Sequence, residues 1–337
     1  MKTRIGINGF GRIGRLVLRA VIQEGYKDIE VGAINSFADP ESNAHMFKYD
    51  TTYGTFKGDV NWTENSIVID GHPVVCLNSE SPSLLPWEDH GVDIVIECTG
   101  KFTDSAKASG HLEGGAKKVI ITAPAKNEDI TIVLGVNEHQ YEKTKHHIIS
   151  NASCTTNCAA PLMKVLDDSF GIEQGMMTTI HSYTNDQQVL DKRHKDKRRA
   201  RAAAMNIIPT TTGAAKAVGQ VIPNLEGKVH GMAFRVPTAT VSVTDFVATL
   251  KTRATAEEIN LAYQEVSQNR LDGILEYSNE PLVSSDYRES KYSCTIDGLS
   301  TITLDNNMAK VVGWYDNEWG YSCRTVELAK LVAEAGF

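Results

Sequence analysis

A cysteine and a histidine near the middle of the chain are of the residue types that perform covalent catalysis. Cys154 lies in SNASCTTNCAAPLMKVLDD, at the predicted junction of a strand and a helix. A thiol at a helix N-terminus is stabilised as the thiolate by the helix dipole and by free backbone N–H groups. Ser153 and Thr155 add donors suited to an anion, and His181 in TTIHSYTNDQ supplies the base that a cysteine nucleophile needs. These residues predict that Cys154 is a nucleophile.

Two neighbours of Cys154 are interpreted differently. Cys158 lies one helical turn further on, where core packing is the preferred interpretation. Pro161 removes a backbone donor inside the same predicted helix, so we expect a kink or an irregular turn there. A lone histidine is more often structural than catalytic, so the role of His181 depends on Cys154.

A glycine-rich loop near the N-terminus predicts a dinucleotide site. The segment GFGRIG has the pattern GxGxxG, and it stands between a predicted strand and a predicted helix. Gly9 allows the tight turn, Gly11 lets the backbone approach a pyrophosphate, and Gly14 lets the helix and strand pack closely. Backbone N–H groups at the helix start then meet the phosphate charge. The alternative is an incidental glycine turn.

The end of the second predicted strand departs from the usual NAD pattern. An acidic residue that holds the adenosine ribose is expected about 20 residues after the loop. This chain has Asn35 and Ser36 there, and Asp39 lies beyond the strand. Because Asn and Ser do not repel a 2′-phosphate and can donate hydrogen bonds to it, the segment permits NADP.

The elements that must position these residues fall into two groups. Near-continuous apolar runs separated by helical periodicity are typical of parallel strands covered on both faces, which predicts a doubly wound α/β (Rossmann) domain. After about residue 150 the strands lengthen and alternate, which predicts an α+β domain with a large mixed or antiparallel sheet. The strands expected in the first half are Arg4–Asn8, Ile29–Asn35, Val92–Gly100, Lys117–Pro124 and Ile130–Val136.

These patterns predict a nucleotide-binding domain over 1–152 and a catalytic domain over 153–319. Within the second, Thr255 and Glu258 have the spacing of a capping box. The last segment, SCRTVELAKLVAEAG, is amphipathic, and a helix over about 320–337 is expected to pack back onto the first domain.

Composition excludes several classes of function. The 337 residues are 41% hydrophobic and 23% charged, as in ordinary globular proteins, and the formal net charge is −8. An acidic chain is a poor nucleic-acid binder, and no apolar run reaches the length of a membrane span. The six cysteines fit neither a disulfide ladder nor a zinc site, so we expect no metal. With no signal-peptide pattern, the expected location is the cytoplasm.

Six segments together resemble the phosphorylating glyceraldehyde-3-phosphate dehydrogenases, in the order and spacing of that family. They are INGFGRIGR, SNASCTTNC, HSYTNDQ, PTTTGAAKAV, RVPT and WYDNEWGYS. The resemblance implies that Cys154 is the nucleophile and His181 the general base. It also implies a phosphorylated aldehyde and inorganic phosphate as reactants, and a homotetramer.

The resemblance assigns further residues to three groups. Thr184 and Arg235 belong to the site for the substrate phosphate. The site for the attacking phosphate comprises Ser153, Thr155, Arg199, Thr212 and Gly213. The cofactor residues are Gly9, Gly11, Arg12, Ile13, Gly14, Asn35, Ser36, Thr99, Gly100, Thr122 and Asn317. Two alternatives stay open. Thr99 and Thr122 could be strand-end caps instead, and for Arg198 and Arg201 a solvated basic face or subunit contacts are preferred to a site role.

Three departures from the family bear on the cofactor. Ser36 replaces the acid that NAD-using members commonly carry. Lys192 and Arg193 stand where those members have Leu-Pro, in a loop that the resemblance places beside a neighbouring subunit's adenosine ribose. An acid is lost and two cations appear, so we predict a preference for NADP with NAD still usable. Glu80 stands where many members carry arginine, which would weaken adenosine binding.

Other functions remain as alternatives. Erythrose-4-phosphate dehydrogenases share the cysteine and histidine but typically differ in the phosphate-site segment, which is intact here at Thr210–Val218. Semialdehyde dehydrogenases also use a thioester but lack these flanking motifs. A regulatory or RNA-binding role through the basic stretch Lys192–Arg201 is disfavoured by the acidic net charge and by the complete catalytic set. We therefore expect no dedicated nucleic-acid or membrane partner.

Overall fold

The computed structural model describes residues 2–337, which form two compact units. The first unit holds the chain up to Ile132 together with His139–Ala152 and Ser322–Phe337. The second unit holds Val133–Glu138 and Ser153–Tyr321.

Over the described residues, the first unit contains a nine-stranded sheet and a two-stranded ribbon. Its strands are β1 (Thr3–Asn8), β2 (Ile29–Asn35), β3 (Tyr49–Asp50), β4 (Gly54–Thr55), β5 (Val60–Trp62), β6 (Ser66–Ile69), β7 (His72–Leu77), β8 (Ile94–Glu97), β9 (Lys118–Ile121), β10 (Ile130–Thr131) and β11 (Ile148–Ser150). Its helices before residue 153 are α1 (Arg12–Gln23), α2 (Pro40–Lys48), α3 (Ser105–Ala108) and α4 (Gly110–Glu113).

The large sheet has the order β10-β11-β9-β8-β1-β2-β7-β6-β5, and the strands from β10 to β7 pair in parallel. Ile5, Ile7, Ile94 and Ile96 are fully buried, because helices and loops cover both faces. Parallel pairing brings the carboxyl ends of β8, β1, β2 and β7 to one edge, where α/β sheets bind ligands. The predicted doubly wound fold is confirmed.

One predicted strand is much shorter than expected. The apolar run Ile130–Val136 contributes only Ile130–Thr131 to the sheet, as β10. A turn follows at once, in which the Val136 N–H donates to the Val133 carbonyl and Gly135 has φ +82°. The rest of the run is apolar because Val133, Leu134 and Val136 are buried in the second unit. An apolar run in the sequence does not distinguish this kind of burial from burial in a sheet.

The second unit is built on an eight-stranded mixed sheet, counted over the described residues. Its strands are β12 (Ile172–Ser182), β13 (Ile208–Thr211), β14 (Val229–Val236), β15 (Ser242–Leu250), β16 (Leu275–Ser278), β17 (Cys294–Asp297), β18 (Ile302–Leu304) and β19 (Met308–Tyr315). The helices that follow residue 153 are α5 (Cys154–Phe170), α6 (Ala214–Val221), α7 (Ala256–Ser267) and α8 (Trp319–Ala335), the last of which runs mostly within the first unit.

The two faces of this sheet differ. Met177, Phe246 and Val311 are buried on the face covered by α5 and α7, where the Tyr263 hydroxyl donates to the Leu162 carbonyl over 2.8 Å. The other face leaves apolar side chains exposed, among them Met176 and Met232. Strands alternate their side chains, so a one-sided core follows from the sequence pattern. The predicted α+β unit with a mixed sheet is confirmed.

Two local sequence signals concern the helices of this unit, a capping box in α7 and a proline in α5. The capping box of Thr255 and Glu258 is present at the start of α7. At Pro161, α5 continues without a break in the helix. Tertiary packing around the helix compensates for one missing backbone hydrogen bond.

None of the helices in residues 2–337 combines the length and apolar character that a membrane crossing requires. Within the same residues, no group of three His, Cys, Asp or Glu side chains could hold a metal ion.

Candidate active site

The glycine-rich loop forms the wall of a cleft of about 590 Å³ in the first unit. Gly9 has φ +94°, and a Cβ there would lie 2.9 Å from the Thr99 nitrogen. A Cβ on Gly14 would meet the Gly9 carbonyl oxygen at 2.2 Å, so only glycine lets α1 start against the loop. Gly11 faces open space, which leaves the first N–H groups of α1 accessible. The loop therefore fits a dinucleotide pyrophosphate.

Other predicted cofactor residues lie around the same strand ends. Arg12 and Ile13 are the first residues of α1. The Arg12 guanidinium forms an ion pair with Asp50 and lies over the Tyr53 ring. Gly100, at φ +67°, has open space at its Cβ position. The Thr122 hydroxyl donates to the Glu97 carbonyl over 2.9 Å. This is the strand-end cap that was the alternative to a cofactor role for Thr122.

The structure corrects the expected role of Asn35. Its amide nitrogen donates to the Asn8 side chain over 2.7 Å and to the Ser79 carbonyl over 2.9 Å. Its carbonyl oxygen accepts from the Ser79 N–H over 2.9 Å. Every donor and one acceptor of this buried side chain is thus used inside the chain, so Asn35 does not donate to a ribose phosphate.

Ser36 remains at the cleft, but its hydroxyl is also engaged. It donates to Asn43 over 3.0 Å and accepts from the Ala38 N–H over 3.2 Å. Asp39 caps α2 through Ser42, which explains its position beyond the strand. Ser36 therefore brings neither a negative charge nor an unused hydroxyl donor to this part of the cleft.

Sequence reasoning missed three residues that line this cleft. Phe37 and Phe102 supply aromatic rings, and the Lys101 ammonium lies 5.9 Å from the centre of the Phe37 ring. Glu80, identified as a departure, lines the cleft as well. An aromatic residue two positions after the second strand, Phe37, was the one available signal, since a base can stack on such a ring.

Cys154 and His181 come together in the second unit. Cys154 is the first residue of α5, whose N-cap is Ser153, and the Cys154 Sγ lies 3.5 Å from Nε2 of His181 at the end of β12. The other ring nitrogen, Nδ1, is 2.7 Å from the Ser182 carbonyl oxygen, which can only accept. Nδ1 therefore carries the proton, and Nε2 faces the thiol as an acceptor.

Burial shifts both groups toward their neutral forms. It raises the pKa of the Cys154 thiol to about 11, although the Arg235 charge and the Thr155 hydroxyl act to lower it. Burial, followed by the Arg235 charge, lowers the pKa of His181 to about 3. The stabilised thiolate expected from the helix N-terminus alone is thus outweighed by desolvation. Proton transfer from Sγ to Nε2 leaves the net charge of the pair unchanged, so it avoids ionising one group alone.

Two arginines lie near this pair in one hydrogen-bonded network. Arg235 Nη1 donates to the Thr184 hydroxyl over 2.8 Å and to the Ser182 carbonyl over 3.2 Å. Thr184 in turn donates to Asp186, which pairs with Arg199. Arg235 Nε is buried without a hydrogen-bond partner. An orphaned guanidinium N–H is a donor for which an anion would provide the acceptor.

Asp186 was missed as part of this network. Burial acts to raise its pKa, but the Thr184 hydroxyl and the charges of Arg235 and Arg199 hold the pKa below its ordinary value. Asp186 therefore offsets part of the arginine charge, and it joins the two sets of residues that were predicted as separate phosphate sites.

The residues predicted to hold the attacking phosphate already make hydrogen bonds within the chain. Ser153 Oγ accepts from the Thr156 N–H over 3.0 Å as the N-cap of α5. The Thr155 hydroxyl lies 2.8 Å from the Tyr315 hydroxyl, and either of the two can be the donor. Thr212 accepts from the Ala214 N–H, and Gly213 caps α6 with open space at its Cβ position. Arg199 also donates to Thr210 over 2.9 Å.

Asn317 lies two residues after β19 and is buried in the second unit. Its carbonyl oxygen accepts from the hydroxyls of Ser182 and Ser242, each over 2.9 Å. This fixes the amide orientation and presents the NH₂ group as a donor, which suits a carboxamide.

Lys192 and Arg193 lie in the second unit with both side chains exposed. Their segment is held by the backbone, since the Lys192 N–H donates to the Ala200 carbonyl over 2.9 Å.

The chain is similar to known protein families and to curated proteins over nearly its whole length. Residues 3–105 match the family model of the glyceraldehyde 3-phosphate dehydrogenase NAD binding domain, and residues 153–317 match that of the C-terminal domain. The chain is 56% identical to the glyceraldehyde-3-phosphate dehydrogenase of Geobacillus stearothermophilus, over all of both chains. It is 55% identical to glyceraldehyde-3-phosphate dehydrogenase 2 of Bacillus subtilis, over 99% of this chain and 97% of that protein.

Proposed function

The chain belongs to the glyceraldehyde-3-phosphate dehydrogenase family, and from that premise we propose that it oxidises D-glyceraldehyde 3-phosphate to 1,3-bisphosphoglycerate. The reaction uses NAD(P)⁺ and inorganic phosphate, is reversible, and passes through a thioester on Cys154. One observation carries this proposal: Nε2 of His181 faces the Cys154 thiol as an acceptor at 3.5 Å, while Nδ1–H is held by the Ser182 carbonyl.

The first step is addition of the thiol to the aldehyde. His181 Nε2 takes the thiol proton as Sγ attacks the carbonyl carbon, and the proton is returned to the new oxygen to give a hemithioacetal. Backbone N–H groups of the first turn of α5 and the Arg235 charge would stabilise the oxyanion that forms in this step.

The second step is oxidation. His181 Nε2 takes the hydroxyl proton as the hydride leaves the same carbon, and a thioester remains on Cys154. The nicotinamide of the dinucleotide supplies the hydride acceptor when it is bound. Asn317, through the NH₂ group described above, would hold its carboxamide.

In the third step inorganic phosphate attacks the thioester carbon, and the thiolate leaves as its proton returns from His181. Arg235 with Thr184 would hold the substrate phosphate, and the orphaned Nε of Arg235 supports this role. Arg199, Ser153, Thr212, Gly213 and the Thr155 backbone would hold the attacking phosphate.

The test is acyl-phosphate formation from D-glyceraldehyde 3-phosphate with and without inorganic phosphate. The proposal expects a phosphate-dependent product. Phosphate-independent release of the free acid, or faster turnover of D-erythrose 4-phosphate, would assign the chain to the related non-phosphorylating chemistry.

We further propose that NADP is preferred and that NAD is still used. The support is the absence of an acid at Ser36 and the exposure of Lys192 and Arg193, whose side chains are available to a ligand outside their own unit. A cationic contact to one phosphate contributes roughly 1.5–3 kcal/mol, or about one to two decades in affinity. Steady-state kinetics with both dinucleotides decides: a higher kcat/KM with NAD contradicts the preference.

A homotetramer is part of the same proposal. The uncovered face of the second unit's sheet exposes Met176, Met232 and Met308, and apolar faces of this kind are covered in oligomers. Sedimentation velocity combined with activity measurements tests it, since a fully active monomer is incompatible with a cofactor site completed by a neighbouring chain.

A further inference from the structure

The carboxyl ends of three neighbouring strands in the first unit are joined by their last side chains. Glu97, Asn8 and Asn35 end β8, β1 and β2, which are adjacent in the sheet, and all three are buried. Asn35 Nδ2 donates to Asn8 Oδ1 over 2.7 Å, and Asn8 Nδ2 donates to Glu97 Oε2 over 2.5 Å. A continuous line of side-chain hydrogen bonds therefore crosses this edge.

The line continues at both ends. Beyond Asn35 it reaches the backbone of Ser79, two residues after β7. Beyond Glu97 it reaches His111, whose Nε2 lies 3.0 Å from Glu97 Oε2, and then Trp87, whose indole donates to His111 Nδ1 over 3.0 Å. We call Trp87, His111, Glu97, Asn8, Asn35 and Ser79 the floor chain, since Asn8, Asn35 and Ser79 line the cleft.

The indole fixes the proton on His111. An indole nitrogen can only donate, so His111 Nδ1 must accept, and Nε2 must carry the ring proton. That proton is then donated to Glu97. The separation of 3.4 Å between Asn8 Nδ2 and His111 Nε2 is that of two donors sharing one carboxylate oxygen.

Glu97 is the centre of the floor chain. Its Oε2 receives Asn8 and His111, and its Oε1 receives the Thr99 N–H over 2.7 Å and the Thr99 hydroxyl. Thr99 in turn packs against Gly9 of the phosphate loop. Four donors on one carboxylate hold the loop after β8 against the loop after β1, and a fully satisfied buried network is rigid.

We propose that Glu97 is a positioning residue for the dinucleotide, with His111, Asn8 and Asn35 orienting it. A buried carboxylate costs free energy that an apolar residue would not, so its presence at the ligand edge indicates a role other than packing. The floor chain fixes the spacing between the loops that meet the two halves of the cofactor. The inference rests on the dinucleotide-binding part of the proposed function and not on the choice between NAD and NADP.

The first experiment measures Kd for NAD and for NADP by titration calorimetry on the full-length Glu97→Gln protein. Gln keeps the shape but turns an NH₂ group toward donors. Both Kd values are expected to rise by about ten- to hundredfold, as for a lost hydrogen bond to a charged group. The kcat at saturating dinucleotide should change far less, since Glu97 touches no reacting atom. Kd values within about twofold of wild type, in a folded protein, would overturn the inference.

A matched pair at His111 gives a second test if Glu97→Gln does not fold. Gln can accept from Trp87 and donate to Glu97 in the same order as the imidazole, whereas Leu can do neither. His111→Leu is expected to raise Kd for both dinucleotides, and His111→Gln is expected to restore most of the affinity. Equal Kd values for the two variants would contradict a positioning role for the bond.

Tyr263→Phe is the control for loss of stability alone. It removes a buried hydrogen bond of the second unit, to the Leu162 carbonyl, outside the floor chain. It should lower the melting temperature without changing either Kd. If Kd follows the melting temperature in all variants, the floor chain is only structural. The dinucleotide Kd is measured without aldehyde. It therefore tests the role of Glu97 even if the proposed reaction is wrong.

Discussion

The cleft of the first unit and the thiol site of the second unit differ in whether their buried polar groups have hydrogen-bond partners within the chain. In the cleft, Glu97 receives four donors and Asn35 uses its amide and carbonyl within the chain. In the thiol site, Arg235 Nε has no partner, and Sγ of Cys154 lies at 3.5 Å from its base. The cleft is preorganised by the chain itself, whereas the thiol site has donors that substrate would satisfy. Mutations in the thiol site should therefore lower kcat without changing the Kd of the dinucleotide.

Cys154→Ser should have the largest effect on activity. Serine lacks the nucleophilicity of a thiol, and loss of a covalent nucleophile costs at least about 10⁴-fold in kcat. The dinucleotide Kd should stay within about twofold, because the cleft is complete without Cys154. Calorimetry and stopped-flow measurements on one preparation test both parts, and a large rise in Kd would contradict the separation.

His181→Asn should have the next largest effect. General acid–base catalysis contributes roughly 10²–10⁴-fold, and kcat should fall by that factor. Without Nε2, the Cys154 thiol has no neighbouring base to take its proton, and burial raises the thiol pKa, so the thiol ionises alone only at high pH. Alkylation of Cys154 by iodoacetamide should consequently slow at pH 7 and recover as the pH rises. An unchanged pH profile of alkylation would show that His181 does not take the thiol proton.

Arg235→Lys tests whether the unpartnered Nε–H of Arg235 binds the substrate phosphate. Lysine keeps the charge but loses the planar fork that binds a phosphate in two places. KM for the phosphorylated aldehyde should rise by about ten- to hundredfold, and the dinucleotide Kd should not change. An unphosphorylated aldehyde serves as the control substrate, since it should lose much less; equal losses with both would place Arg235 at the reacting carbon instead.

Lys192→Ala combined with Arg193→Ala should have the smallest effect, and one confined to NADP. KM for NADP should rise by roughly one decade, and KM for NAD should stay the same. Lys195→Ala combined with Lys197→Ala removes two other exposed cations of the same segment and serves as the matched control. An equal loss with NAD and NADP would contradict a contact to the 2′-phosphate.

Much of the fold and part of the site could be predicted from the sequence. The alternation of strands and helices predicted both units, because burial on one or two faces leaves its own periodicity. Cys154 at the start of α5 was predictable because Ser153, its cap, is its neighbour. The short β10 and the intact helix at Pro161 were not, since distant packing decides them.

The sequence by itself determined what depends on neighbours in the chain: the glycines at 9, 11 and 14, the cap of α5 and the family motifs. Only the tertiary structure decided how the polar side chains are used. Asn35 bonds to Asn8 across the sheet, Thr155 bonds to Tyr315, and Glu97 collects four donors from three elements. The physical reason is that a buried polar group must find a partner, and strand pairing brings together partners that are far apart in sequence.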